Sequence, residues 1–103
     1  MSRSIRIRAA AANGVTEVRV LMAHPMETGL REAGSGEVVP AHYITTLKIL
    51  HDERIVLDAD LGPAVSANPY LAFKFQGGAT GDTLTVRWED NRGESAEESV
   101  EIL

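Results

Sequence analysis

Apolar and polar residues alternate with a period of two along most of the chain, a pattern that strands satisfy and helices do not. Ile5, Ile7 and Ala9 alternate with Arg6 and Arg8, and Asn13-Gly14 is a tight-turn signal. Val18, Val20 and Met22 then alternate with Glu17, Arg19 and Leu21, which predicts a second strand from about 15 to 23. Tyr43 to His51 reads as a third strand, with Thr45, Leu47 and Ile49 on one side and Ile44 and Leu50 on the other. Asp52-Glu53 turns the chain, and Arg54 to Asp60 returns with Ile55, Leu57 and Ala59 inward and Val56 and Asp58 outward. Leu71, Phe73 and Phe75 alternate with Ala72, Lys74 and Gln76; Gly77-Gly78 and Gly81 bound the next turn. Leu84, Val86 and Trp88 follow, and Asn91-Arg92-Gly93 makes the last hairpin loop. Ala96, Val100 and Ile102 share a face with Glu98, and a carboxylate in the inward register predicts a bulge or a terminal edge strand. About seven short strands separated by turn signals predict an all-β fold, an immunoglobulin-like antiparallel β-sandwich forming one domain. The Cys…Trp…Cys pattern of true immunoglobulin domains is absent, and Trp88 is expected as a plug between the sheets rather than a ligand platform.

Composition narrows what such a sandwich does. Cysteine is absent and aromatics are 5% of the 103 residues, so the core is built from Val, Leu, Ile and Ala without disulfide support. Ten basic residues stand against fifteen acids, a net charge of -5, whereas phosphate binding runs on Lys and Arg. Nucleic acid and anionic membrane surfaces are therefore not expected partners. Arg3, Arg6 and Arg8 form the one basic cluster, with Arg6 and Arg8 on one strand face that is expected to be solvated. No run approaches the roughly 20 apolar residues of a membrane helix, and the first residues contain no signal-peptide core. Those residues read alone point to the cytoplasm.

Tests for chemistry on the chain eliminate most options. His24, His42 and His51 share neither the i, i+2 spacing of a strand site nor the i, i+4 spacing of a helix site, and no metal is expected. A blue-copper or superoxide-reductase centre needs a thiolate the chain lacks. Ser66 has no flanking glycines of a nucleophile elbow and is expected, with Asn68, to bond turn backbone. Asp58 with Asp60, and Glu97 with Glu98, read as solvated acids rather than a glycosidase pair. Neither a phosphate loop nor a dinucleotide fingerprint occurs. No catalytic residue and no cofactor is expected.

Two stiff loops remain unexplained by catalysis, His24-Pro25-Met26-Glu27-Thr28-Gly29 and Val65-Ser66-Ala67-Asn68-Pro69-Tyr70. Pro25 fixes φ and pushes His24 toward an extended conformation, and Gly29 permits a turn other residues resist. Met26 is an adaptable apolar side chain, while Pro69 and Tyr70 pair a rigid bend with an amphipathic ring of the kind enriched at interfaces. Two readings stand: the loops meet a partner, or Met26 and Tyr70 cap the ends of the core. The connection from His24 to about Ala41 is long, and Gly34-Ser35-Gly36 marks either a mobile functional tip or a plain hairpin extension.

The segments Leu21-Met22-Ala23-His24-Pro25-Met26-Glu27-Thr28-Gly29 and Asp60-Leu61-Gly62-Pro63-Ala64-Val65-Ser66-Ala67-Asn68-Pro69-Tyr70-Leu71 closely resemble the SoxZ family. These proteins are the Z subunits of the SoxYZ complex of bacterial sulfur oxidation. The resemblance runs over nearly the whole chain. It implies a non-catalytic immunoglobulin-like sandwich that binds SoxY, whose cysteine on a Gly-rich arm carries thiosulfate-derived sulfur among the other Sox enzymes. It also implies a periplasmic location, reached by export with a signal-bearing SoxY, in place of the cytoplasmic reading. The residues expected to meet SoxY are His24, Pro25, Met26, Glu27 and Gly29, then Pro40 and Tyr43, and the bend Asn68, Pro69 and Tyr70. The contrasting expectation is a self-associating adhesion or ligand-binding sandwich that needs no such partner.

Overall fold

A computed structural model describes residues 4–103. The expected alternation folds into seven strands, β1 (Ile5–Ala12), β2 (Val15–Met22), β3 (Ile44–His51), β4 (Arg54–Asp60), β5 (Tyr70–Gln76), β6 (Thr83–Asp90) and β7 (Ser95–Glu101). They form two antiparallel sheets, a three-stranded one ordered β1-β2-β5 and a four-stranded one ordered β4-β3-β6-β7. The chain therefore switches sheets between β2 and β3, between β4 and β5, and between β5 and β6, as a sandwich requires to bury both inner faces. Val18, Val20 and Met22 from one sheet face Ile44, Leu47, Ile49, Leu84 and Val86 from the other in a single core. Trp88 is buried in that core, as expected of a plug. Its indole Nε1 has no acceptor among the described residues, a cost of about 1–3 kcal/mol that packing of the ring must outweigh.

The chain end seals one side of the sandwich. Leu103 exchanges hydrogen bonds of 2.9 Å with Ala9 and Ala11 of β1, while Ile102 is buried in the core. β7 is an edge strand in regular register with β6, and Glu98 lies half-buried opposite Val86. The edge-strand alternative thus accounts for its inward carboxylate, without a bulge.

Two irregularities overturn part of the face assignments expected for β3 and β4. The β3–β6 register shifts between Ile44 and Thr46, so Ile44 turns into the core alongside Leu47 and Ile49 instead of sharing a face with Leu50. The β3–β4 register shifts between Ile49 and Leu50, leaving Val56 as the extra residue. Val56 then packs against the core and Ile55, expected inward, is 51% exposed. An added residue reverses the parity of everything beyond it, which alternation in the sequence does not reveal.

The connection from β2 to β3 is an ordered hairpin. Glu27 and His42 pair across its base, Glu32 and Val38 pair further out, and Gly36 N–H returns to Ala33 O at 2.9 Å at the tip. This arm leaves Leu30 84% and Val38 56% exposed. Arg31 folds back on Glu27, which holds the Glu27 carboxyl below its ordinary pKa through their hydrogen bond. Of the basic cluster expected near the start of the chain, Arg6 and Arg8 are exposed on β1 and Arg3 lies outside the described residues. Among the described residues no helix is long and apolar enough to cross a membrane.

Candidate functional site

The two loops picked out in the sequence meet at one end of the sandwich. Asn68 N–H donates to His24 O at 2.9 Å, and His24 N–H donates to Asn68 Oδ1 at 3.1 Å. Met22 N–H donates to Pro69 O at 2.9 Å, which continues the β2–β5 ladder into the loops. Each loop holds one non-glycine residue in the left-handed region, Met26 at φ 48° and Asn68 at φ 53°. Such backbone costs on the order of 1–3 kcal/mol and persists only where surrounding bonds over-determine it. At Met26 they do: its N–H donates to His24 Nδ1 at 3.1 Å and its sulfur accepts from Ile44 N–H at 3.3 Å. Gly29 has φ 86°, and a Cβ there would lie 3.1 Å from the Ala41 Cβ, so the turn expected at this glycine is real and closely packed.

Beneath the loops sits a buried polar cluster centred on Asp90, the last residue of β6. Its Oδ2 accepts from His24 Nε2 at 3.1 Å and from His42 Nε2 at 2.8 Å. Its Oδ1 accepts the backbone N–H groups of Arg92 at 3.0 Å and Glu94 at 2.9 Å, closing the β6–β7 loop. Burial pushes the Asp90 pKa up, but the hydrogen bonds from His24, His42 and the two backbone amides outweigh it and hold it down to about 2. Glu94 adds a second carboxylate 3.0 Å from His42 Nε2. The His24 ring stands edge-on to Trp88 at 5.1 Å, joining the cluster to the apolar core. Asn91 ties in the residues just before β3, accepting from Tyr43 N–H at 2.8 Å and donating to Ala41 O at 2.9 Å.

His24, His42 and Asp90 bring ligand atoms within 4.8 Å of one another, a convergence their sequence spacing hides. A metal-bound imidazole normally donates its second ring N–H to an acceptor. His24 does the opposite: its Nδ1 accepts from Met26 N–H, which places the ring proton on Nε2, where it is donated to Asp90. The cluster is thus a hydrogen-bonded brace in which the His24 ring proton occupies the position a metal would need. His51 does not join it. It lies at the far end of β3, with its Nε2 2.8 Å from Asp82 Oδ2. Two of the three histidines, His24 and His42, thus converge with ring centroids 4.5 Å apart, against the expectation from their spacing, while His51 stays apart.

The residues expected to face a partner divide by burial. His24, Met26 and Pro69 are buried and shape the loops from beneath, which favours the core-capping role for Met26. Pro25, Pro40, Asn68 and Tyr70 are exposed, with Tyr70 at 60%, so Tyr70 does not cap the core. Glu27, Gly29 and Tyr43 are half-buried. Asp90 and Asn91, which hold the end together with His42, carry no signal of that role in the sequence, because their partners lie in distant parts of the chain. Leu30 and Val38, two large aliphatic side chains in a polar, Gly-rich connection, are a readable signal of the exposed arm.

Fold and site define a small antiparallel sandwich in which one end, rather than a cleft, is the elaborated feature, with its polar groups engaged in holding loops in place. A family model described as Sulphur oxidation protein SoxZ matches residues 5–101. The chain belongs to the SoxZ family, and with it to the Sox sulfur-oxidation system. No curated protein matches it.

Proposed function

We propose that the protein is the non-catalytic Z subunit of a SoxYZ carrier, which binds SoxY and helps present the sulfur adduct on the SoxY cysteine to the other Sox enzymes. The observation that carries this reading is the loop end itself, two stiff loops locked together over a buried brace while Pro25, Asn68 and Tyr70 stay exposed above it. The hairpin arm extends the same end with Leu30, Val38 and Pro40, apolar groups that a folded partner would cover. The chain has no cysteine, so a carried sulfur must be held by another polypeptide. Contacts with further Sox enzymes would be transient, and the periplasm, reached together with SoxY, is the compartment this role requires.

Co-expression with SoxY tests the reading. The expected result is a stoichiometric complex that Tyr70→Asp or Leu30→Asp weakens by at least about tenfold, since charge placed in a buried apolar contact is costly. Met26→Asp would not serve, because Met26 is buried and its loss breaks the fold. Recovery of a homo-oligomer that ignores SoxY would replace this reading with the self-associating sandwich. Thiosulfate-derived mass on this chain instead of on SoxY would overturn the carrier role.

A further inference from the structure

The outward face of the three-stranded sheet runs against the charge of the molecule. Its register stacks Arg6 beside Leu21 and Tyr70, Arg8 beside Arg19 and Ala72, and Ala10 beside Glu17 and Lys74. Four of the ten basic residues meet one of the fifteen acids there, a net +3 on a chain of net -5. The opposite outer face has Asp58, Asp60, Glu89, Glu97 and Glu101 against Lys48 and Arg87, a net -3.

The cationic face is poorly arranged for the fold's own stability. Arg8 lies directly across from Arg19, and like charges in opposed positions destabilise a strand pair. Glu17 is 3.2 Å from Arg19 and 3.9 Å from Lys74, whereas among the described residues Arg6 and Arg8 have no carboxylate within ion-pair distance. Ala10 and Ala12 leave a trough of about 490 Å³ flanked by Arg8, Arg19 and Lys74. A second, separate depression beside it, which shares Arg8 and Arg19, is lined by Leu21, 39% exposed, and Tyr70. Guanidiniums with spare donors, a floor of small side chains and an apolar anchor at one end together suit an extended, carboxylate-bearing polypeptide.

We propose that this face docks an acidic segment of a protein partner, with Arg6, Arg8, Arg19 and Lys74 receiving carboxylates and Leu21 with Tyr70 receiving an apolar side chain. A nucleic acid fits less well, since Glu17 stands in the trough and Tyr70 is the one aromatic ring among the lining residues on which a base could stack. Charge complementarity of this kind sets association rate and partner choice and weakens with salt. The docking site shares Tyr70 with the surface proposed for SoxY, but its cations Arg6, Arg8, Arg19 and Lys74 lie on strands outside the loop end, so variants of those cations test it separately.

Titration of the full-length, ¹⁵N-labelled protein with a hexaglutamate peptide tests the assignment, with sodium sulfate and a single-stranded DNA oligonucleotide as parallel probes. Amide shifts should be confined to β1, β2 and β5 and should fade as salt rises to about 0.3 M. The double variant Arg8→Gln, Arg19→Gln should lose affinity by at least about tenfold. It should melt no lower than the parent, because a like-charge pair has been removed. Shifts spread over both sheets, sulfate reproducing the peptide's shifts, tighter binding of the oligonucleotide, or a variant that binds like the parent would each overturn the proposal. None of these outcomes bears on whether SoxY co-purifies.

Discussion

A His–Asp pair flanks each end of the β3–β6 pairing, and the two pairs behave differently. At the loop end His42 meets Asp90 at 2.8 Å; at the far end His51 meets Asp82 at the same 2.8 Å. The distance is identical and the surroundings are not. Asp90 is fully buried at its side chain and serves two histidines and two backbone amides. Asp82 is one-third exposed, and its pKa is lowered chiefly by the His51 hydrogen bond and then by Ala79 N–H. A bond length alone thus says little about what a contact contributes. Burial and the number of groups that depend on the same carboxylate decide it.

The sharpest break in this comparison is truncation at each end. Asp90→Ala should lower unfolding free energy by about 3–5 kcal/mol in a denaturant titration, because one buried and one half-buried imidazole and two amides lose their acceptor together. For a domain of this size that is a large part of a total of about 5–15 kcal/mol. Asp82→Ala should leave the denaturation midpoint close to the parent value. Equal losses at the two ends would show that burial is not the distinguishing factor.

Acid sharpens the contrast next. The Asp90 pKa of about 2 lies below its ordinary 3.8, so the folded protein binds this proton more weakly than the unfolded chain does. The resulting stabilisation, about 2 kcal/mol, is complete above pH 4 and is lost as pH falls through about 2. Stability followed from pH 5 to 1.5 should show this slope in the parent and not in Asp90→Ala. A smaller effect is expected where the loop end is stitched from the side. Asn68→Ala removes the acceptor for His24 N–H and puts a β-carbon residue at φ 53° that tolerates it less well, a loss of about 1–2 kcal/mol by denaturant titration. Asn68→Gly should recover part of it, since glycine accepts that backbone freely.

Much of the fold was legible before any coordinates. The strand at Leu84–Trp88 and the loops of His24 and Asn68 were all readable from alternation, turn residues and Pro–Gly punctuation. Exclusion of thiolate chemistry was equally direct. Ile44 and Ile55 were placed on the wrong faces, each because a register shift lies between it and the residues used to assign its side. At the site, the stiffness of the two loops was readable, but not what they rest on. His24, His42 and Asp90 are separated by tens of residues, and no local spacing rule links them.

Hydrophobic alternation is a property of neighbouring residues, so the amino-acid order was sufficient to specify strands, most of their faces, a disulfide-free core and the absence of an on-chain thiol. Convergence is a property of pairing. Which loops touch, which carboxylate is buried under two histidines, and which sheet face gathers Arg6, Arg8, Arg19 and Lys74 all follow from how distant strands register across two sheets, where one bulged residue reverses what alternation implies.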